Sequence, residues 1–224
     1  GSGEIRGGAP ATREFALLDP LRTVNRLDAV VLSGGSAFGL AAADGVVARL
    51  EAAGVGVPTA AGPVPIVVGM SLFDLLVGDA SVRPGPVEGA AAYDAATDGP
   101  VATGAIGAGC GAGSWRGRDQ ARPSGLGTAT VQHGPVLVAA LVAVNAFGDL
   151  ADLADRAERD AASALLLDAL DSEPGFAHTT IGVVATNAAL DKAGCHLVAQ
   201  AGHDGMARAL VPAHTRLDGD ALVV

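Results

Sequence analysis

The chain has 224 residues and a formal net charge of −10; half of its residues are hydrophobic, only 3% are aromatic and 32 are glycines. This length supports one core, built mainly from Ala, Val and Leu, and the negative charge argues against nucleic acid and anionic membranes as partners. There is no membrane-spanning run and no leader, and Cys110 and Cys195 lack disulfide or metal-ligand patterning, so we expect a cytoplasmic protein without metal or cofactor.

The opening of the sequence predicts no regular structure. We interpret Gly1 to Gly3 as an added remnant. Residues 6–14 are rich in glycine and charge without periodicity, which indicates a loop. A compact apolar strand is predicted at 27–32.

A glycine turn follows this strand and enters an alanine-rich helix that runs to about Ala53. Ser36 is the predicted N-cap, since its hydroxyl can accept from an orphaned backbone N–H. A strand, a glycine turn and a helix start can present backbone donors to an anion or oxyanion, so Gly34, Gly35 and Ser36 are candidate substrate-binding residues. The alternative is that the glycines only allow close packing of helix and strand.

The middle of the chain predicts a helix, a glycine-rich stretch and a hairpin. Residues 87–97 favour a helix, whereas 104–113 fit a dinucleotide-binding loop only weakly, because no helix follows. Close backbone approach to a substrate or another chain explains those glycines better. Residues 127–132 and 135–144 predict a hairpin that ends at Asn145. A buried amide needs partners, so Asn145 either braces the next turn or donates into a site.

The last part of the chain alternates helices and strands. A charged helix at 152–170 and a Pro-Gly loop precede a β-branched strand at 181–185. A helix at 189–210 and a final strand follow. This order predicts one α/β layered domain with at least one antiparallel pair. Three histidines lack the spacing of a zinc site and are interpreted as surface or capping residues: His196, His203 and His214.

Two threonines stand where the Pro-Gly loop meets the strand at 181–185. If the chain were cut between His178 and Thr179, Thr179 would carry a hydroxyl nucleophile and a free α-amine. That amine has an ordinary pKa of about 8, so it can act as the base that activates the hydroxyl. The alternative is that two threonines merely suit a strand edge. Asp218 and Asp220 likewise either form an Asp-Gly turn or orient this nucleophile.

Six separated runs, in order along nearly the whole chain, carry a family resemblance. They are Arg6-Gly-Gly-Ala-Pro-Ala-Thr-Arg-Glu14, Leu32-Ser-Gly-Gly-Ser-Ala-Phe-Gly-Leu40, Gly127-Thr-Ala-Thr, Leu141-Val-Ala-Val-Asn-Ala-Phe-Gly-Asp149, Thr179-Thr-Ile-Gly-Val-Val-Ala-Thr-Asn187 and His214-Thr-Arg-Leu-Asp-Gly-Asp220. These runs closely resemble the D-aminopeptidase/esterase family (peptidase S58), which includes β-aminopeptidases and the nylon-oligomer hydrolase.

The resemblance implies an αββα sandwich of two mixed sheets flanked by helices, like that of N-terminal-nucleophile hydrolases. It also implies a single domain, residues 1–224, that cuts itself into a large subunit, 1–178, and a small subunit, 179–224. Such paired subunits typically assemble as tetramers, and the substrates are small peptides or amides.

The resemblance also assigns roles to single residues. Thr179 matches the nucleophile and Asn145 matches an asparagine that stabilises the oxyanion. Asp218 and Asp220 match acidic residues that orient the nucleophile in the nylon-hydrolase branch. Together they imply hydrolysis through an ester-linked acyl-enzyme.

Three positions depart from the family pattern. His178 stands where the residue before the nucleophile is often Asn, and Phe73 stands where some members have an oxyanion tyrosine. Arg116 occupies the place of a site lysine, and a guanidinium can donate but cannot readily act as a base. Three hypotheses therefore stay open: a self-cleaving threonine amidohydrolase, an uncleaved ligand-binding or assembly module, and acyl transfer like that of ornithine acetyltransferases.

Overall fold

The computed structural model describes residues 1–114, 121–151 and 178–224. Four α-helices lie in these ranges: α1 Ser36–Gly39, α2 Ala42–Ala52, α3 Pro86–Ala95 and α4 Lys192–Ala209. The strands are β1 Gly3–Arg6, β2 Thr12–Arg13, β3 Ala29–Ser33, β4 Val57–Thr59, β5 Gly62–Val64, β6 Val67–Ser71, β7 Gly113–Ser114, β8 Arg122–Pro123, β9 Leu126–His133, β10 Val136–Ala143, β11 Asp149–Leu150, β12 Ile181–Thr186, β13 Leu210–Val211 and β14 Asp220–Val223. None of the helices described here is both long and apolar enough to cross a bilayer.

A five-stranded mixed sheet, in the order β1-β14-β12-β10-β9, forms one layer. The predicted β9–β10 hairpin is present and pairs antiparallel along its whole length, but it turns at Gly134 and Pro135, one residue later than the predicted turn at His133 and Gly134. β12 pairs antiparallel with β10 and parallel with β14, so the strand that follows Thr179 lies in the middle of the sheet. β1 closes one edge by pairing antiparallel with β14.

A three-stranded mixed sheet, β2-β6-β3, forms the second layer. The central strand β6 is fully buried and alternates its side chains between two faces. Val68 and Met70 pack against residues of the large sheet such as Ile181 and Val223, whereas Val67 packs against the α2 side chains Val46 and Leu50.

Helices cover the outer face of each sheet. α2 and α3 pack together on the small sheet, and Gly45 and Gly89 allow this approach, because a Cβ at Gly89 would meet the Ala42 carbonyl oxygen at 1.8 Å. α4 packs on β1, β12 and β14 through residues such as Met206 and Leu222. The layers therefore run helix, sheet, sheet, helix, as the predicted αββα sandwich requires.

Several local predictions need correction. The opening residues, for which no regular structure was predicted, take part in the fold, because Ser2 is fully buried, its hydroxyl donates to the Leu18 carbonyl, and β1 begins at Gly3. The predicted loop at 6–14 includes the short strand β2, which pairs with β6. The helix predicted at 152–170 lies outside the described residues.

Candidate active site

Thr179 is buried between the end of β10 and the turn before β14. Its backbone N–H donates to the Asn145 carbonyl at 2.6 Å, and its hydroxyl donates to the carbonyl of His178 at 2.5 Å. The same His178 carbonyl accepts the backbone N–H of Gly219 at 2.9 Å. The hydroxyl of Thr179 therefore lies beside the peptide carbonyl that precedes it, and a fixed N–H donor polarises that carbonyl.

Asn145 is completely buried directly after β10. Its Oδ1 accepts the backbone N–H of Gly113 at 3.1 Å, and its Nδ2 donates to the Phe73 carbonyl at 2.7 Å. The side chain thus joins β7 and the segment after β6 to the Thr179 region. These side-chain bonds go to Gly113 and Phe73 rather than to the next turn, the Asn145 backbone carbonyl holds Thr179, and the donor role of the amide stays a prediction. Phe73 takes part through its backbone oxygen.

Asp218 is a buried carboxylate that anchors the chain after Asn145. It accepts the Phe147 N–H at 3.1 Å, and the Thr215 N–H and hydroxyl at 2.9 and 2.5 Å. Burial and the nearby Asp220 carboxylate raise the pKa of Asp218 from its ordinary 3.8 to about 6, against these hydrogen bonds, which lower it. Asp218 therefore titrates close to neutral pH.

Asp220 is equally buried and begins β14. Its Oδ1 accepts the Thr180 N–H at 2.7 Å. Its Oδ2 accepts the His214 N–H at 3.1 Å and faces His214 Nδ1 at 2.7 Å. Asp220 therefore fixes the backbone one residue after Thr179 and is tied to a histidine on its other side.

His214 and Gly219 belong to the site, although sequence reasoning assigned neither to it. His203, expected at the surface or at a cap, is fully buried with Nε2 at 3.0 Å from the Glu4 carbonyl, because β1 covers that face of α4. The sequence run 214–220 contains both His214 and Gly219 and was the signal that could have pointed to them. The contacts that these two residues make depend on strands far apart in the chain.

The glycine turn after β3 is not an open anion site. The Gly35 N–H is taken by the Asp74 carboxylate at 2.7 Å, and the Ser36 N–H donates to the Leu72 carbonyl at 2.7 Å. Ser36 is not an N-cap, because the first helical residue is Ser36 itself and Gly35 precedes it with φ 81°. The prediction of free backbone donors here is wrong, since a neighbouring carboxylate already occupies one of them.

Gly34 nevertheless lines an apolar cavity of about 590 Å³ at the edge of β3. The large sheet contributes Leu141, Ala143 and Ile181 to its wall, and Ile181 is two residues from Thr179. The 104–113 stretch also reaches this cavity, through Gly107 and Ala108. The predicted close approach of these glycines to a substrate or another chain stays a prediction. Arg116 lies outside the described residues.

Comparisons with known proteins identify the family. The sequence model of Peptidase family S58 matches residues 1–224. An uncharacterized aminopeptidase of Mycobacterium leprae is 46% identical over 252 aligned residues, which cover 99% of this chain and 66% of that protein. A 6-aminohexanoate-oligomer endohydrolase of Paenarthrobacter ureafaciens is 29% identical and aligns with 87% of this chain and 59% of its own length.

Solved structures establish the fold. The PH0078 protein of Pyrococcus horikoshii matches 99% of the chain with a TM-score of 0.69 at 23% identity. The L-aminopeptidase D-Ala-esterase/amidase of Ochrobactrum anthropi, described as a new variant of the Ntn hydrolase fold, matches 99% with a TM-score of 0.67 at 20% identity. The chain spans 59% of each of these two proteins. The predicted fold class and family resemblance are confirmed, and the chain belongs to peptidase family S58.

Proposed function

We propose that this chain is a self-cleaving amidohydrolase whose nucleophile is Thr179, freed as an N-terminal residue by scission of the 178–179 bond. Its substrates are small peptides or amides with a free amine. This proposal agrees with the names of its relatives, an aminopeptidase and an endohydrolase of 6-aminohexanoate oligomers, whose substrates are amides.

The proposed self-cleavage is an attack within the chain. The Thr179 hydroxyl oxygen forms a bond to the His178 carbonyl carbon, the C–N bond breaks, and the hydroxyl proton passes to the departing nitrogen. Water then hydrolyses the resulting ester, which leaves a carboxylate on His178 and a free amine on Thr179. The Gly219 N–H donates to the oxygen that becomes negative, a contribution on the order of 3 kcal/mol.

The proposed turnover of substrate repeats this chemistry on an external amide. The free amine of Thr179 accepts the hydroxyl proton and passes it to the leaving amine, while the acyl group becomes an ester on Thr179. Water releases the acid. The apolar cavity near Ile181 offers space for a small acyl side chain. We further propose a cytoplasmic tetramer of subunit pairs 1–178 and 179–224.

One observation carries this proposal: the Thr179 hydroxyl donates to the carbonyl of the bond that would be cut, in a site from which solvent is largely excluded. A threonine that merely suited a strand edge would have no need of the surrounding Asn145, Asp218 and Asp220, which are all buried and polar.

The neighbouring threonines provide a matched test. Thr179→Val should abolish hydrolysis of aminoacyl amides, because the nucleophile is lost. Thr180→Val should keep it, since the Thr180 hydroxyl is buried without a hydrogen-bond partner among the described residues. The assay measures release of amine from aminoacyl amides whose α-amino group is either free or acetylated. Only the amides with a free amino group should react. Equal activity of the two variants would refute the proposal.

The second candidate is an uncleaved module that binds a ligand or supports assembly. It is favoured by the way the side chains of Asn145, Asp218 and Asp220 hydrogen-bond the backbone of neighbouring segments, as purely structural groups would. An unaltered chain that binds aminoacyl amides without hydrolysing them would select this candidate.

A further inference from the structure

Asp220 connects the Thr179 region to a partly buried histidine, His214. One carboxylate oxygen accepts the Thr180 N–H, and the other accepts the His214 N–H and faces the His214 ring at Nδ1, 2.7 Å away. Both oxygens are therefore engaged on opposite sides. One carboxylate therefore links the His214 ring to the backbone beside Thr179.

The contacts of the His214 ring determine its protonation. Nδ1 faces the Asp220 carboxylate, and Nε2 lies 3.2 Å from the backbone carbonyl of His203. A carbonyl and an ionised carboxylate can only accept, so both contacts are hydrogen bonds only if both ring nitrogens carry a proton. The two contacts therefore correspond to an imidazolium ring at His214, with a proton on each nitrogen.

The groups around His214 support this charge state. Its ring packs edge-on against the His203 ring, with centroids 4.8 Å apart. Burial lowers the pKa of His214, but its hydrogen bonds to Asp220 and to the His203 carbonyl outweigh this and raise it overall. Burial lowers the pKa of His203, which favours its neutral form beside His214. Arg6, which opposes the charge of His214, is itself paired with acidic residues, Glu4 and Asp204.

The backbone at His214 gives a second, independent indication. Its φ is 57°, in the left-handed region, which residues other than glycine adopt infrequently and in which Asn, Asp and His are enriched. A glycine would adopt this conformation more freely, whereas the histidine places its ring between the Asp220 carboxylate and the His203 carbonyl. The only polar contacts of the ring in the described structure are those to Asp220 and His203.

We propose that His214 is a positioning residue: its imidazolium is the counter-ion of the Asp220 carboxylate, holds that carboxylate directed at the Thr180 N–H, and thereby fixes Thr179. This inference rests on the proposed role of Thr179. His214 touches neither the reacting hydroxyl nor the bond to be cut. It acts through Asp220.

A matched pair of variants separates the two ring nitrogens. His214→Asn places an amide donor near the Nδ1 position and retains the bond to Asp220, and asparagine tolerates the positive φ. His214→Gln places its donor near Nε2 and loses that bond. We expect self-cleavage and kcat to fall in both variants, because neither carries the imidazolium charge: about 10–100-fold in His214→Gln, as for residues that orient metal ligands, and by a smaller factor in His214→Asn, which keeps one hydrogen bond to Asp220. His196→Gln on α4 is the control and should match the unaltered chain.

The pH profile provides a readout that a merely structural role would not move. The folded pKa of His214 is raised, so its ion pair with Asp220 is fully present below the ordinary pKa of 6.5 and is lost as pH rises through the raised value. The unaltered chain should therefore lose activity on the alkaline side of that value. His214→Asn should show reduced activity without this alkaline decline, because its amide is uncharged at every pH, and the unaltered chain should fall toward that level as His214 loses its proton.

Histidine side-chain nitrogen NMR and amide hydrogen exchange at Thr180 test the inference without relying on activity. We expect two protonated ring nitrogens on His214 near pH 6, and faster exchange of the Thr180 amide in His214→Gln than in His214→Asn. A neutral His214 at pH 6, or equal Thr180 exchange in both variants, would overturn the inference. If the unaltered chain neither cuts itself nor hydrolyses amides, the proposed function fails, while these two measurements still decide the role of His214.

Discussion

Three buried side chains around Thr179 share one property: each accepts a hydrogen bond from the backbone N–H of a different segment. Asn145 accepts from Gly113, Asp218 accepts from Phe147, and Asp220 accepts from Thr180. Since a buried unsatisfied amide costs about 1–3 kcal/mol, these side chains stabilise the site as well as shape it. Their effects on stability and on chemistry must therefore be measured separately.

For Asp218, the contribution to stability can be measured on its own through the pH dependence of the unfolding free energy. Its folded pKa of about 6 exceeds its ordinary 3.8, so the stability that this carboxyl contributes is full below pH 3.8 and is lost as pH rises through 6. Asp218→Asn loses hydrogen bonds at every pH but never becomes charged. We expect its deficit in unfolding free energy, relative to the parent, to shrink between pH 4 and 7.

Chemical denaturation at several pH values checks this prediction. Both proteins should carry Thr179→Val, so that each remains one chain and self-cleavage does not alter the transition. A deficit that stays constant from pH 4 to 7 would mean that Asp218 has the same pKa in the folded and unfolded chain.

Individual elements differ in how far the sequence could predict them. The β9–β10 hairpin and β12 were predicted well, because turn residues and apolar runs are local signals. β1 was missed, since its four residues show no period of their own and pair with β14 at the other end of the chain. The burial of His203 was missed for the same reason, because helical spacing cannot reveal that β1 covers that side of α4.

The turn before β14 shows how one glycine connects an element to the site. Gly219 donates to the His178 carbonyl, and a Cβ at this position would meet the Ala9 carbonyl oxygen at 2.2 Å. Gly219→Ala should therefore destabilise the fold by about 1–3 kcal/mol and slow self-cleavage, as the N–H moves away from the carbonyl. Thermal unfolding and the rate of cleavage measure the two effects.

Gly205 provides the matched control for this substitution. It lies within α4, and a Cβ there would meet no atom within 4 Å. Gly205→Ala should stabilise the chain by about 0.5–1 kcal/mol through helix propensity and leave cleavage unchanged. If both alanine variants behave alike, close packing at Gly219 has no role in the site.

The whole molecule explains how the chain could be cut and stay assembled. β12 and β14 belong to residues 179–224, whereas their partners β10 and β1 belong to residues 1–178, so the proposed subunits share one sheet. The core between the two sheets also draws on both parts, with Met70 packed in the same cluster as Ile181 and Val223. The family and the four layers could be predicted from six motifs; the hydrogen-bond partners within the site could not, because they depend on distant segments.

The mass of the purified chain under denaturing and native conditions tests the proposed self-cleavage most directly. We expect two denatured species, 1–178 and 179–224, with Thr179 as the new N-terminus, and one native particle that contains both. Thr179→Val should remain a single species under both conditions. An unaltered chain that keeps one undivided mass after long incubation would contradict the account.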